Sequence, residues 1–77
     1  MRTFEVERRN DETGVSGTGV VVEGVEFSNG VVVIRWTPSL GSIAIYNCFA
    51  DFVAIHVNSH PTNRTVITFS DGEVFEQ

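Results

Sequence analysis

The sequence has little cysteine and no long apolar run. Its one cysteine, Cys48, excludes an internal disulfide framework and is typical of a reducing compartment. No apolar run reaches the length that spans a membrane, and the first residues, Met1 to Glu5, do not resemble a signal peptide. The sequence therefore predicts a cytoplasmic protein with no membrane partner.

Positive charge is also scarce, and lysine is absent. Five arginines against ten acidic residues give a formal net charge of −5. Such a surface repels duplex nucleic acid, and without a basic run it offers no track for phosphates. An acidic surface is compatible with plain solubility, with a face for a basic protein partner, or with mimicry of nucleic acid.

The clearest local signal is a β-hairpin within residues 17–36. Asn29-Gly30 lies between two valine-rich runs. This dipeptide favours a type I′ turn, which needs positive φ at both of its central residues. The segment therefore predicts two antiparallel strands and a small β-rich domain.

A change of phase inside the first of these strands predicts a β-bulge at or beside Gly24. Before this glycine, Val20 and Val22 share one face of the strand. After it, Val25 and Phe27 lie on that face only if the register shifts by one residue. The bulge would leave Glu23 and Glu26 in water. The side chains expected inside are Val20, Val22, Val25 and Phe27.

The remaining elements complete one small domain, expected to cover residues 1–77. Alternation and apolar runs predict further strands, and residues 48–57 fit a short helix capped by Asn47, or else a strand over 52–57. We predict an all-β fold, an SH3-like five-stranded barrel with a helical turn before the last strand, and an OB-fold is the competitor. The expected strands are 3–9, 20–27, 31–36, 43–46 and 64–69, followed by a tail over 73–77.

Three patterns bear on catalysis or cofactor binding. The glycines of 14–19 lack the lysine of a P-loop and precede a strand, so they indicate a turn region, with a small anion nest as the alternative. His56 and His60 share a helix face only if the helix continues, and Pro61 opposes that. Cys48, His56 and Asp51 are the residue types of a nucleophile, base and carboxylate triad. Such a triad is recognised by its spatial geometry and not by sequence. The sequence thus predicts no catalytic residue, no metal and no cofactor.

A binding surface is the better-supported kind of site. Arginine donates in a plane to phosphate or carboxylate, and aromatic rings stack on a base or a cation. Arg35 interrupts an apolar strand, where a guanidinium needs a partner. Trp36 plugging the barrel is the structural alternative. The predicted ligand-binding residues are Arg35, Trp36, Ser42 and Tyr46, with Arg64 as an outer contributor.

The run Thr13 to Gly19, the segment Glu23 to Phe27, Gly30 and Arg35-Trp36 carry a resemblance. They are similar to a set of small β-rich proteins from actinobacteria and their phages, whose pattern continues at Ser42, Tyr46, Asp51 and His56. The resemblance implies a phage or prophage setting and no particular activity.

Together these observations predict a non-catalytic binding protein. We expect a phage factor that counters host defence by sequestering a small nucleotide-type ligand. The alternative is an acidic interaction module that inhibits or adapts a host protein. We also expect a homo-oligomer, because Phe49, Phe52 and Phe75 lie outside the clearest strands and are candidates for a subunit interface.

Overall fold

The computed structural model describes residues 1–10, 18–37 and 41–77. Within these ranges the chain forms six antiparallel strands, one α-helix and one 3-10 helix. The order of strands in the sheet is β4-β3-β2-β1-β5-β6. The bounds are β1 Arg2–Arg8, β2 Gly19–Glu26, β3 Val32–Trp36, β4 Ile43–Tyr46, α1 Phe49–His56, the 3-10 helix Pro61–Asn63, β5 Thr65–Phe69 and β6 Val74–Glu76.

The sheet is open. Its edge strands are β4 and β6, and no pairing joins them among the described residues. The mainly β class is confirmed, whereas the five-stranded SH3-like barrel is not, because the strands form one unclosed sheet. Helix α1 lies against one face, which we call the inner face, and the opposite face is the outer face. Neither helix in the described ranges is long and apolar enough to cross a membrane.

The β2–β3 hairpin forms, but not with the predicted type I′ turn. The Gly30 amide donates to the Phe27 carbonyl at 2.9 Å, and the Phe27 amide donates to the Val31 carbonyl at 2.8 Å. Gly30 has φ 92°, while Asn29 is not at positive φ. The loop is thus a three-residue connection that ends in one left-handed glycine.

The bulge lies nearer the start of β2 than predicted. The register of β1 and β2 shifts where Val6 pairs with Val22 and Glu7 pairs with Val20, so Val21 is the extra residue. Val21 and Val22 are both buried, whereas Val20 is exposed.

The burial predicted for the other side chains of this segment is also correct for some residues and not for others. Phe27 is exposed and Val25 is half-buried. Glu23 is exposed as predicted, but Glu26 is partly buried against Arg2.

Gly24 does not bulge, because it pairs with Phe4 in a regular part of the ladder. A Cβ at this position would meet the Phe4 ring at its Cζ, and would lie 2.6 Å from Cε2 and 2.7 Å from Cε1. The glycine is therefore required by the close approach of an aromatic ring to the strand.

Aromatic side chains fill the space between α1 and the inner face. Phe4 contacts Phe49, Phe52 and Phe69 with ring centroids 5.5 to 6.0 Å apart. Phe75 packs against the same core. Phe52 is therefore a core residue of one chain, whereas Phe49 and Phe75 are half-buried against the same core. The subunit interface expected of these three rings stays a prediction.

The segment after β4 is a helix, as favoured, and not a strand. Cys48 rather than Asn47 is its N-cap residue, and it makes no side-chain capping bond. The tail predicted over 73–77 contains strand β6, which pairs with β5. The Gln77 side chain then ties this end of the chain to the core, since its amide donates to the Val57 carbonyl at 2.7 Å.

Candidate functional site

Four side chains meet beside the C-terminal end of α1 on the inner face. We call Arg8, Trp36, Tyr46 and His56 the Arg8 cluster. The three strand residues are on this face because they alternate in phase with the buried residues of β1 and β3 and with the half-buried Ala44 of β4. His56 lies one helical turn beyond Phe52 and Val53, the buried residues of α1, so it is on the same helix face.

The imidazole of His56 is at the centre of the cluster. Its ring centroid is 5.2 Å from that of Trp36 and 5.7 Å from that of Tyr46, both in edge-on geometry. The Tyr46 hydroxyl is 2.5 Å from Nε2 of His56. The Arg8 guanidinium lies 5.3 Å from the Trp36 ring centroid and donates to the His56 carbonyl at 3.3 Å.

Burial and charge keep the cluster's two titratable rings neutral. Burial, followed by the charges of Arg8 and His60, lowers the pKa of His56 below its ordinary value. Burial raises the pKa of Tyr46. The phenol therefore stays protonated, and its hydroxyl shares a hydrogen bond with Nε2 of the neutral imidazole, whose tautomer sets the direction of that bond.

We expect this pKa shift to make folding weaker in mild acid. Because the folded protein holds the pKa of His56 below the ordinary 6.5, the unfolded chain takes up the proton first as the pH falls. The contribution of His56 to the free energy of unfolding is full above about pH 6.5. It is lost as the pH falls through the folded-state pKa. Urea unfolding at about pH 7.5 and pH 5 measures the difference in the free energy of unfolding.

The control for this prediction is the second histidine. His56→Gln is expected to reduce the pH dependence in this range, and His60→Gln to retain it. Asp71, whose pKa is held below 3.8 by the Glu73 amide and then by Arg2, titrates in a lower range. An unchanged pH dependence in His56→Gln would contradict the assignment.

The structure brings together part of the predicted site. Trp36 and Tyr46 both contact His56. Ser42 lies beside Trp36, whose amide donates to the Ser42 carbonyl at 2.9 Å. Arg64 lies just after the 3-10 helix in a left-handed conformation, φ 54°, with its side chain exposed.

Arg35 is on the other side of the sheet. It projects from the outer face and pairs with Glu23 at 2.9 Å, with both side chains more than half exposed. Adjacent residues of a strand face opposite ways, so Arg35 and Trp36 do not line one pocket. The partner that Arg35 was expected to need is this surface carboxylate.

Sequence reasoning missed Arg8 and underused His56. Arg8 is 4% exposed and is the buried guanidinium that the sequence pattern predicted at Arg35. The signal was present, because Arg8 continues the alternation of Phe4 and Val6 along the first strand. The helix predicted over 48–57 likewise contains His56.

Other parts of the described chain offer weaker chemistry. At the opposite end of the sheet a cleft of about 610 Å³ is lined in part by Arg2, Glu26 and Asp71. The Arg2 guanidinium is bonded to Glu26, Asp71 and Glu73 at 2.7 to 2.9 Å, so it is neutralised. The described ranges contain no group of three or more histidine, cysteine or acidic residues able to hold a metal. The predicted glycine-rich loop falls mostly on 11–17, outside the described residues.

Fold and cluster define a class: a small, mainly β protein with one open sheet, one covering helix and a buried arginine beside half-exposed aromatic rings. The chain belongs to the Acb5 phage protein family, whose profile matches residues 1–71. The phage setting implied by the resemblance is thereby confirmed. No curated protein and no solved structure is significantly similar to it.

Proposed function

We propose that this phage protein is a non-catalytic binding protein that sequesters a small anionic, nucleotide-type ligand and so counters the defence of its host, an actinobacterium. One observation carries the proposal. The buried guanidinium of Arg8 lies beside two half-buried aromatic rings, those of Trp36 and Tyr46, and a neutral imidazole.

These groups match the parts of a nucleotide. A base stacks on the face of an indole or phenol ring, and a contact of this kind is worth about 1–3 kcal/mol. A cation in a low-dielectric setting attracts phosphate more strongly than one in water. Arg8 supplies that cation, and the neutral His56 ring adds hydrogen-bonding nitrogen.

The distribution of arginine supports an anion-binding site at the same end of the sheet as the Arg8 cluster. The molecule carries a net charge of −5, so an anion is repelled by most of its surface. Arg8 ends the first strand, Arg9 follows it, and Arg64 precedes Thr65, the residue that pairs with Arg8. Three of the five arginines are therefore near this end of the sheet.

The same cluster supports binding rather than catalysis. Tyr46 has a raised pKa and is a poor nucleophile, and Nε2 of His56 is already hydrogen-bonded to the Tyr46 hydroxyl. We accordingly propose that the ligand leaves the protein chemically unchanged. Mass spectrometry of ligand recovered after incubation tests this point, and a new product would overturn it.

We expect nucleotides to quench the fluorescence of Trp36, the one tryptophan of the chain, and to raise the melting temperature. The probes are a mononucleotide, a cyclic dinucleotide and inorganic phosphate. Tyr46→Leu should weaken nucleotide binding by about tenfold, since it removes one ring face. Titration calorimetry gives the Kd.

Arg35→Ala is the matched control, because it removes an arginine from the outer face and should change the Kd less than about twofold. Absence of any thermal shift at millimolar nucleotide would overturn the proposal. Loss of binding in Arg35→Ala but not in Tyr46→Leu would place the ligand on the outer face instead.

A second candidate is an acidic module that inhibits or adapts a host protein. Its support is on the outer face, where Glu5 lies directly opposite Glu23. Like charges in this position destabilise a sheet. Their presence fits a face that pairs with a basic protein. Glu5→Gln should then stabilise the fold slightly and lose that protein in a pull-down from host lysate, whereas nucleotide binding should be unaffected.

A further inference from the structure

Strand β4 is an edge strand without the usual protection. Its four residues, Ile43–Tyr46, include no charge, proline or glycine, and no strand pairs with its free side among the described residues. Ile43 is 69% exposed and Ile45 is 70% exposed. Natural edge strands are normally protected by charge, bulges or cover, and the described part of β4 carries none of these devices on its own residues.

The free backbone groups of β4 belong to the same two isoleucines. In an antiparallel pair, residues alternate between those whose amide and carbonyl point to the neighbour and those whose groups point away. The Trp36 amide donates to the Ser42 carbonyl, so residues 42, 44 and 46 face β3. Ile43 and Ile45 therefore direct their amides and carbonyls outward from the sheet.

We infer that this edge binds a second copy of the chain, with β4 of one copy antiparallel to β4 of the other. The segment Ile43-Ala44-Ile45 reads the same in both directions, so a two-fold axis through Ala44 pairs Ile43 of one copy with Ile45 of the next. That register satisfies all four outward amides. It also keeps every isoleucine on the outer face, as the pleat requires.

The charges near the edge favour a second copy despite the net charge of −5. In the part of the chain that the structure describes, the charged outer-face side chain nearest to β4 is Arg35, which lies opposite Ile43 and is paired with Glu23. The seam thus carries no unpaired carboxylate among the described residues. Val33, opposite Ile45, extends the apolar patch. An apolar groove of about 230 Å³ runs beside it, between Val25, Val33 and Ile43.

The other edge of the sheet is unsuited to the same contact. Strand β6 has three residues, of which Glu76 is one, and it follows Glu73. Two copies of this edge would bring carboxylates together. Pairing therefore closes at a dimer with one continuous sheet.

Sedimentation equilibrium at micromolar concentration tests the inference. The native chain is expected to have twice the 8.5 kDa mass of one chain. Ile45→Lys should halve the measured mass, because a lysine in the seam opposes pairing. Val74→Lys, which places the same charge on the exposed β6 edge, should leave it unchanged. Circular dichroism checks that both variants are folded, and Ile43→Lys provides a second seam variant.

A native mass of one chain at high micromolar concentration overturns the inference. So does a mass above two chains, or a dimer that survives in both seam variants.

Discussion

Truncation of Phe52 to alanine is expected to cost about 3–5 kcal/mol of the free energy of unfolding. Phe52 is 1% exposed and contacts the rings of Phe4, Phe49 and Tyr46. Its removal leaves a cavity between helix and sheet. Because a domain of this size has a total stability of roughly 4–12 kcal/mol, much of the variant should be unfolded at 37 °C.

Ile55→Ala is the matched control, since Ile55 is on the same helix but is 52% exposed. We expect it to cost less than about 1 kcal/mol. Urea unfolding followed by circular dichroism compares the two variants. Similar costs for both would mean that α1 is not packed on the inner face as described.

Adding a single methyl group at Gly24 is expected to cost about 1–3 kcal/mol. The new Cβ would overlap the Phe4 ring, whose Cε atoms are 2.6 and 2.7 Å from the ideal position. The ring has little room to move, because it is 2% exposed and packed against Phe49 and Phe69. Chemical denaturation of Gly24→Ala measures the effect.

A double-mutant cycle separates this clash from a simple loss of strand geometry. In a Phe4→Leu background the ring is gone, and Gly24→Ala should cost less than about 0.5 kcal/mol more. An equal cost in both backgrounds would show that the glycine is needed for its backbone and not for the ring.

Local pattern predicted most of the elements but not how they assemble. Alternation located β1, and Asn29-Gly30 located the hairpin. The three successive valines of 20–22 fit either phase, so the pattern required a register shift without showing which residue carries it. Strand β6 has three residues, too few for a period of two to stand out. Barrel closure depends on whether the edge strands meet, which no local pattern reports.

The sequence pattern predicted Trp36 and Tyr46 as site residues but placed the site arginine at Arg35 and not at Arg8. Residues 31–34 are apolar on both faces of β3, so the pattern did not show which side is covered. Arg35 was therefore taken as a guanidinium held among apolar groups, although it lies on the outer face. The covered arginine is Arg8, which becomes a site residue only when β3, β4 and α1 bring Trp36, Tyr46 and His56 to it.

The position of β1 in the sheet has a consequence for synthesis of the protein. The first strand of the chain is central, between β2 and β5, and Phe4 pairs with Phe69, 65 positions later. Pairs so far apart in sequence close slowly, because much chain entropy is lost before the contact forms. On the ribosome, a nascent chain that has emerged only as far as α1 still has an open edge on β1. Strand β5, which is translated after α1, therefore completes the pairing of β1.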